Sequence, residues 1–286
     1  MNEKIILITG CSSGIGAHAV FALKKRGHRV IASCRKEEDV QNLIHSGLEA
    51  VLLDVSDTSS VQAGFAEVLN KTAGRLDVLI NNAGYGQAGA LEDIHRDVLR
   101  QQFETNVFGL AQLCALAIPI MRRQGQGRII NISSILGVIS LPFRGAYNAS
   151  KYAVEGITDT LRLELMSSGI KVITIEPGPI ASRFRDNSMD GSLKAIDTNG
   201  SYFNIQYDQI SSHYQNTKFD SVFTKGPEAV IKKIIHAIEV KNPKPKYAIT
   251  FPAHLMIFLK RILSNKMLNR LLYFISKKEL HKEDTF

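Results

Sequence analysis

Short apolar runs alternate along the chain with stretches whose apolar positions recur every three or four residues. Residues 4–9 (Lys-Ile-Ile-Leu-Ile-Thr) run straight into glycines, the pattern of a buried strand. Similar runs span Val30 to Cys34, Glu49 to Asp54, Asp77 to Asn81, Arg128 to Ile132 and Lys171 to Glu176. The last is closed by Pro177-Gly178-Pro179. Between these runs, helical spacing covers 14–26, 37–46, 58–73, about 95–123 and about 147–168. Gly27, Gly47, Gly74 and Gly125 mark helix ends. Strands alternating with long helices predict a parallel sheet covered on both faces, because right-handed crossovers place helices on each side. A helix over 227–240 follows, and Tyr247 to Thr250 is a candidate seventh strand.

Two segments depart from this rhythm. Residues 181–223 are polar with scattered aromatics (Phe184, Tyr202, Phe203, Tyr207, Tyr214, Phe219), and so long a connection is expected to act as a lid or substrate loop. After Asn-Pro-Lys-Pro-Lys at 242–246, two amphipathic patterns appear. Residues 253–263 place Leu255, Phe258, Leu259, Ile262 and Leu263 on one helical face, with Lys260, Arg261 and Ser264 opposite. Residues 266–277 gather Met267, Leu268, Leu271, Leu272, Phe274 and Ile275 into one arc. Such arcs suit packing over the domain, and equally a membrane interface. The expected organisation is one α/β domain over 1–246 and a basic amphipathic extension over 247–286.

Charge sharpens the second segment. The 286-residue chain has a net charge of +8, and residues 241–286 hold ten Lys and Arg against three acidic residues. The rest of the chain is close to neutral, so a nucleic-acid partner is not expected. Ordinary hydrophobic and charged fractions exclude disordered, collagen-like and disulfide-scaffold classes. Cys11, Cys34 and Cys114 are too few for a disulfide framework and read as buried free thiols. The histidines are scattered and no His-Glu-x-x-His occurs, so no metal is expected. Met-Asn-Glu-Lys leads directly into the first strand, and no signal peptide is expected. No 18 consecutive residues are apolar, so no membrane-spanning helix is expected either. The expected location is cytoplasmic, with peripheral membrane contact through 247–278 left open.

Three motifs carry chemistry. Thr9-Gly10-Cys11-Ser12-Ser13-Gly14-Ile15-Gly16 follows a strand and opens a helix, where glycines let the backbone approach a pyrophosphate at a helix N-terminus. The second strand ends Ala32-Ser33-Cys34 and is followed by Arg35-Lys36. A ribose 2′-hydroxyl reader needs a carboxylate at that tip, whereas an arginine can pair with a 2′-phosphate, aided by Ser12. This favours NADP over NAD. The competing reading has Arg35 on a surface turn and Glu37 or Glu38 on the ribose. Third, Tyr147-Asn148-Ala149-Ser150-Lys151 puts a phenol and an ammonium one helical turn apart. A nearby ammonium stabilises the phenolate and makes tyrosine usable as an acid–base. Ser134, Asn82-Ala83-Gly84, Asp54 and Asn106 lie where they can converge on the carboxyl ends of the strands, the ligand-binding edge of open α/β sheets.

Thr-Gly-x-x-x-Gly-x-Gly, Asn-Asn-Ala-Gly, a serine ahead of Tyr-x-x-x-Lys and Pro-Gly after the sixth strand resemble the short-chain dehydrogenase/reductase family over residues 4–182. Gly-Cys-Ser-Ser-Gly-Ile-Gly, Cys-Arg-Lys, Leu-Pro-Phe-Arg-Gly-Ala-Tyr and Ile-Glu-Pro-Gly-Pro-Ile are similar to a subgroup with 17-beta-hydroxysteroid and retinol dehydrogenases and bacterial NADP-dependent aldehyde reductases. The resemblance implies a Rossmann-like, doubly wound parallel sheet of about seven strands in one domain, with a helical lid and C-terminal amphipathic helices. It implies Tyr147 as general acid, Lys151 lowering its pKa and holding the nicotinamide ribose, and Ser134 bonding the substrate oxygen. Asn106 would hold a water linking Lys151 to solvent. Gly10, Ser12, Ser13, Gly14, Ile15, Gly16 and Arg35 would hold the phosphates. Asp54 and Val55 would bracket adenine. Asn82, Ala83 and Gly84 would line the ribose and nicotinamide, and Pro177, Gly178 and Ile180 would orient the carboxamide. The implied function is hydride transfer between NADP(H) and a lipophilic carbonyl or alcohol in a dimer or tetramer. A non-catalytic NADP-binding regulator and a peripheral lipid-binding protein are the alternatives.

Overall fold

The computed structural model describes residues 2–181, 191–216 and 223–280. Seven parallel strands lie in the order β3-β2-β1-β4-β5-β6-β7. They are β1 (Ile5–Ile8), β2 (Arg29–Cys34), β3 (Glu49–Leu52), β4 (Val78–Asn81), β5 (Gly127–Ile132), β6 (Ile170–Pro177) and β7 (Lys246–Ile249). All seven expected strands form, with ends moved by a residue or two. The order reverses between β1 and β4, which opens a crevice at their carboxyl ends.

Alternating side chains divide the core into two layers. Ile6 and Ile8 of β1 face one side, with α1 (Gly14–Lys25), α2 (Glu37–His45) and the later helix Glu228–Glu239. Ile5 and Leu7 face the other, with α3 (Thr58–Lys71) and the helices of 109–123 and 145–164. The short runs were apolar throughout because each strand is covered twice.

The expected single helix over 95–123 is built in three parts. α4 (Arg96–Phe103) leads into one π-helical turn, Glu104–Phe108, and then α5 (Gly109–Arg123). The wider turn breaks the 3.6-residue period and buries Asn106 beside Val107. Gly109 begins α5 where a side chain would collide with the carbonyl of Val55. Arg96–Arg123 is long and apolar enough to cross a membrane by length and composition. Its Leu110, Leu113, Ala117 and Met121 are instead buried in the domain core.

α6 (Gly145–Glu164) carries the Tyr-x-x-x-Lys motif. The described part of 181–223 is ordered cover, with α7 (Asn204–Asn216) as its main helix. Ile196 and Tyr207 are buried against Ala90, with Ile94, Phe143, Leu193 and Phe203 around them. Phe184 and Phe219 lie outside the described residues. α8 (Glu228–Glu239) returns the chain to β7, and α9 (Phe251–Ile262) and α10 (Asn265–Leu280) follow. Leu268 and Leu272 of α10 are buried on Leu136 and Ile139, with Met256 and Leu263 beside them. The apolar arc on α9 is divided, with Leu263 packed toward the domain. Leu255, Phe258 and Ile262 are exposed, and Lys260, also exposed, donates to the Val138 carbonyl and sits 4.9 Å from the Tyr152 ring centre.

Candidate active site

The glycine segment is laced to the end of β4. Thr9 Oγ1 accepts from the backbone N–H groups of Asn82 and Ala83, each at 3.0 Å. The Asn82 amide donates to the carbonyls of Thr9 (2.8 Å) and Gly10 (3.0 Å). Gly10 has a φ of +69°, and a Cβ there would lie 2.7 Å from the Ala83 Cα. A Cβ on Gly16 would meet the Asn82 amide at 2.6 Å. Side chains at these positions would push the two loops apart. Ser13 precedes α1 in an extended conformation and makes no side-chain cap. The first N–H groups of α1 thus keep the partial positive charge that binds phosphate.

Arg35 follows the last residue of β2 and is exposed. Among the described residues no carboxylate lies within ion-pair distance of it, which leaves its guanidinium open to a phosphate. Asp54 accepts from the Ser56 backbone (2.9 Å) and hydroxyl (2.7 Å) through one oxygen. Val55 beside it is buried. Uncapped helix amides after a glycine turn, and an arginine with no acidic partner among the described residues, fit a phosphorylated dinucleotide. The chain brings the expected cofactor residues onto this one edge.

Ser134, Tyr147 and Lys151 meet past the end of β5. Ser134 has extended backbone and caps the short turn Ile135–Gly137, its Oγ accepting from the Leu136 N–H at 3.1 Å. It also hydrogen-bonds the Tyr147 phenol. Lys151 is buried, donates from Nζ to the Ile132 carbonyl at 2.8 Å, and lies 5.7 Å from the Tyr147 ring centre. Ser133, next to it, is held at the sheet by its N–H on the Ile175 carbonyl. Gly178 donates its N–H to the Ile249 carbonyl at 3.0 Å, and a side chain at Gly178 would collide with Thr250. Ile180 is buried and bridges to Lys225.

Asn106 acts within the protein as a brace. Its Nδ2 donates to the Tyr85 carbonyl (2.9 Å) and Ser150 hydroxyl (3.0 Å), and its Oδ1 accepts from the Tyr85 N–H (3.0 Å). Ser150 in turn donates to the Tyr147 carbonyl at 2.8 Å. A Cβ on Gly84 would lie 3.0 Å from Asn106 Oδ1 and 3.9 Å from Lys151 Nζ. The π-turn therefore holds the loop after β4 against α6.

The electrostatics differ from the sequence expectation in one respect. Burial pushes the Tyr147 phenol up to about 12, with Ser134 and Arg144 pulling weakly the other way. Burial pushes the Lys151 ammonium down to about 8, opposed by Glu155. Burial of the phenol runs against the lowering expected from Lys151. Tyr147 packs against the apolar cluster of Leu136, Ile139, Leu268 and Leu272, and apolar cover disfavours the phenolate.

Several contributors escaped the sequence reading. Gln102, one turn before Asn106, is fully buried, accepts from the Gln87 N–H at 2.6 Å and donates to the Tyr85 carbonyl at 2.8 Å. Amides at i and i+4, one helical turn apart, were the available clue. Tyr207 accepts from the Ala90 N–H at 2.8 Å and donates to Asp93 at 2.6 Å, tying the lid to the domain. Behind Lys151, Glu155 pairs with Lys246 at 2.8 Å, and Glu176 lies 3.9 Å from the same ammonium. The thiols of Cys11, Cys34 and Cys114 are free and buried. Among the described residues no cluster of potential metal ligands occurs.

Comparison with known proteins gives the same picture. The family model for short chain dehydrogenases matches residues 4–192. The oxidoreductase YbbO of Escherichia coli is 41% identical over 270 residues, covering 94% of each chain. An NADPH-dependent 3-dehydrocapnine reductase of Ornithobacterium rhinotracheale is 32% identical, covering 96% of this chain and 98% of that one. The solved structure of ElxO with NADP bound superposes with a TM-score of 0.70 at 26% identity, covering 87% of this chain and 97% of that one.

Proposed function

The chain belongs to the short-chain dehydrogenase family of oxidoreductases, and from that premise we propose that it reduces a lipophilic aldehyde or ketone with NADPH, Tyr147 giving the proton. The observation that carries this reading is the hydrogen-bonded Ser134–Tyr147 pair, with Lys151 one turn on, beneath an apolar roof.

NADPH, when bound, supplies the hydride. Its phosphates suit the amides at Gly14 and the glycine cradle, and its 2′-phosphate suits Arg35 with Ser12. Asp54 and Val55 suit the adenine side, and Asn82, Ala83 and Gly84 the nicotinamide ribose. Pro177, Gly178 and Ile180 suit the carboxamide. The relative named as NADPH-dependent and the NADP-bound neighbour support the choice of cofactor.

The substrate oxygen then sits between the Ser134 hydroxyl and the Tyr147 phenol. Both can donate to it, and the phenol surrenders its proton as the oxygen gains negative charge. Lys151 places a cation near the phenolate that results. Leu136, Ile139, Leu141, Met256, Leu263, Leu268 and Leu272 favour an apolar substrate body. A phenol held protonated at neutral pH is the form that carbonyl reduction consumes. Alcohol oxidation needs the phenolate, so its rate should rise with pH above neutrality while reduction does not. Initial rates in both directions from pH 6 to about 10 check this against the reference range of tyrosine titration.

A screen of NADPH oxidation over medium- and long-chain aldehydes, retinal and steroid ketones tests the proposal. Turnover that improves with apolar chain length is expected. Tight NADPH binding without turnover of any carbonyl would overturn it in favour of a regulator.

A further inference from the structure

The outer face of the two C-terminal helices is unlike the rest of the surface. Phe251, Leu255, Phe258 and Ile262 recur at steps of four, three and four along α9, which places them in one narrow stripe. All four are exposed, Phe251, Phe258 and Ile262 by more than half. On α10 the inner face is spent on the domain through Leu268, Leu272 and Ser276. Its outer face exposes Met267, Tyr273 and Phe274 together with Lys266, Arg270 and Lys277. A shallow hollow there is lined by Asn269, Arg270, Tyr273 and Phe274. Seven large apolar side chains thus remain in water on two consecutive helices, although both helices already have a packed inner side.

Charge decides what such a face suits. From Val240 to Lys278 the chain contains nine Lys and Arg and no Asp or Glu. Arg261, Lys266, Arg270 and Lys277 are exposed among these apolar residues. Aromatic and aliphatic side chains interspersed with cations, without any carboxylate, match the boundary of an anionic bilayer, where apolar burial and attraction to the headgroups add.

We propose that α9 and α10 seat the protein on the surface of an anionic lipid bilayer, with Phe251, Leu255, Phe258 and Ile262 entering the acyl boundary and the basic residues meeting the headgroups. The inner faces of the same helices cover Tyr147 through Met256, Leu263, Leu268 and Leu272. Docking would therefore hold the roof of the site against the membrane.

Flotation of the full chain with vesicles tests this directly. One set is phosphatidylcholine alone, the other phosphatidylcholine mixed with phosphatidylglycerol. The wild type is expected to float with the anionic vesicles at low salt and to be released by high salt. Phe258→Glu combined with Ile262→Glu should weaken that binding by about tenfold or more, since two buried apolar groups are lost. Lys266→Glu with Arg270→Glu should weaken it only on anionic vesicles. Both double variants should keep the wild-type circular dichroism spectrum and melting curve. No flotation, or flotation indifferent to both variants, overturns the proposal. So does a lipid-free dimer that the Phe258/Ile262 variant dissociates, because a second copy would then be the occupant of the face.

Discussion

Glu176 is the next-to-last residue of β6, just before Pro177-Gly178, buried beside Glu155 and Lys246. Burial, reinforced by the negative charge of Glu155, pushes its carboxyl up to about 7. The folded state then keeps a proton that the unfolded chain releases near the ordinary value of 4.5. The contribution of Glu176 to stability therefore falls as pH rises from about 4.5 to about 7, by an amount on the order of 1–3 kcal/mol. Glu176→Gln removes this titration. Its melting temperature should gain on the wild type between pH 5 and pH 8, and a constant difference across that range would contradict the assignment. Arg35→Ala should raise the KM for NADPH about tenfold or more and leave NADH nearly unaffected, since a charge-assisted contact contributes roughly 1.5–3 kcal/mol. Equal effects on both cofactors in steady-state kinetics would remove Arg35 from the 2′-phosphate. Ser134, Tyr147 and Lys151 were legible as candidates through the family resemblance, and the fold brings the three together. The direction of the Tyr147 shift was not. It depends on Leu268 and Leu272, more than a hundred residues further along the chain.

At the scale of elements, the strands were legible because each is apolar on both faces. The π-turn was not, because one extra residue in a helical turn leaves the apolar spacing on either side intact. Its consequence is local: it turns Asn106 toward Tyr85 and Ser150. The lid was recognisable as a break in rhythm, yet its docking rests on single polar contacts that no periodicity reveals. Tyr207 is the main one, with its hydroxyl shared between Ala90 and Asp93 and its ring edge-on to Phe143 at 5.8 Å. Tyr207→Phe should loosen the described lid by about 1–3 kcal/mol, the cost of leaving a buried donor unsatisfied. KM for a bulky carbonyl should rise, kcat on a small one should hold, and limited proteolysis should cut faster within 181–223. Unchanged proteolysis would show that the lid is held by other contacts.

The whole molecule separates two kinds of surface. The sheet places the dinucleotide cradle and the Ser134–Tyr147–Lys151 group on one edge, where the strand order reverses between β1 and β4. The basic tail folds back over that edge and exposes a second, apolar face. The charge imbalance was visible as soon as it was resolved along the chain. That the tail has one face packed on the domain and another left in water emerged only from the packing, since the apolar arcs read from the sequence mix inward residues such as Leu268 with outward ones such as Phe258. The central claim is that Tyr147 supplies the proton while other residues bind the cofactor. Tyr147→Phe keeps the ring and removes only the hydroxyl, so the direct measurement pairs carbonyl turnover with NADPH affinity, followed by nucleotide fluorescence, in this variant. A loss of turnover of about a hundredfold or more is expected, in the range of general acid catalysis, with the dissociation constant for NADPH nearly unchanged. Turnover close to that of the wild type would contradict the account.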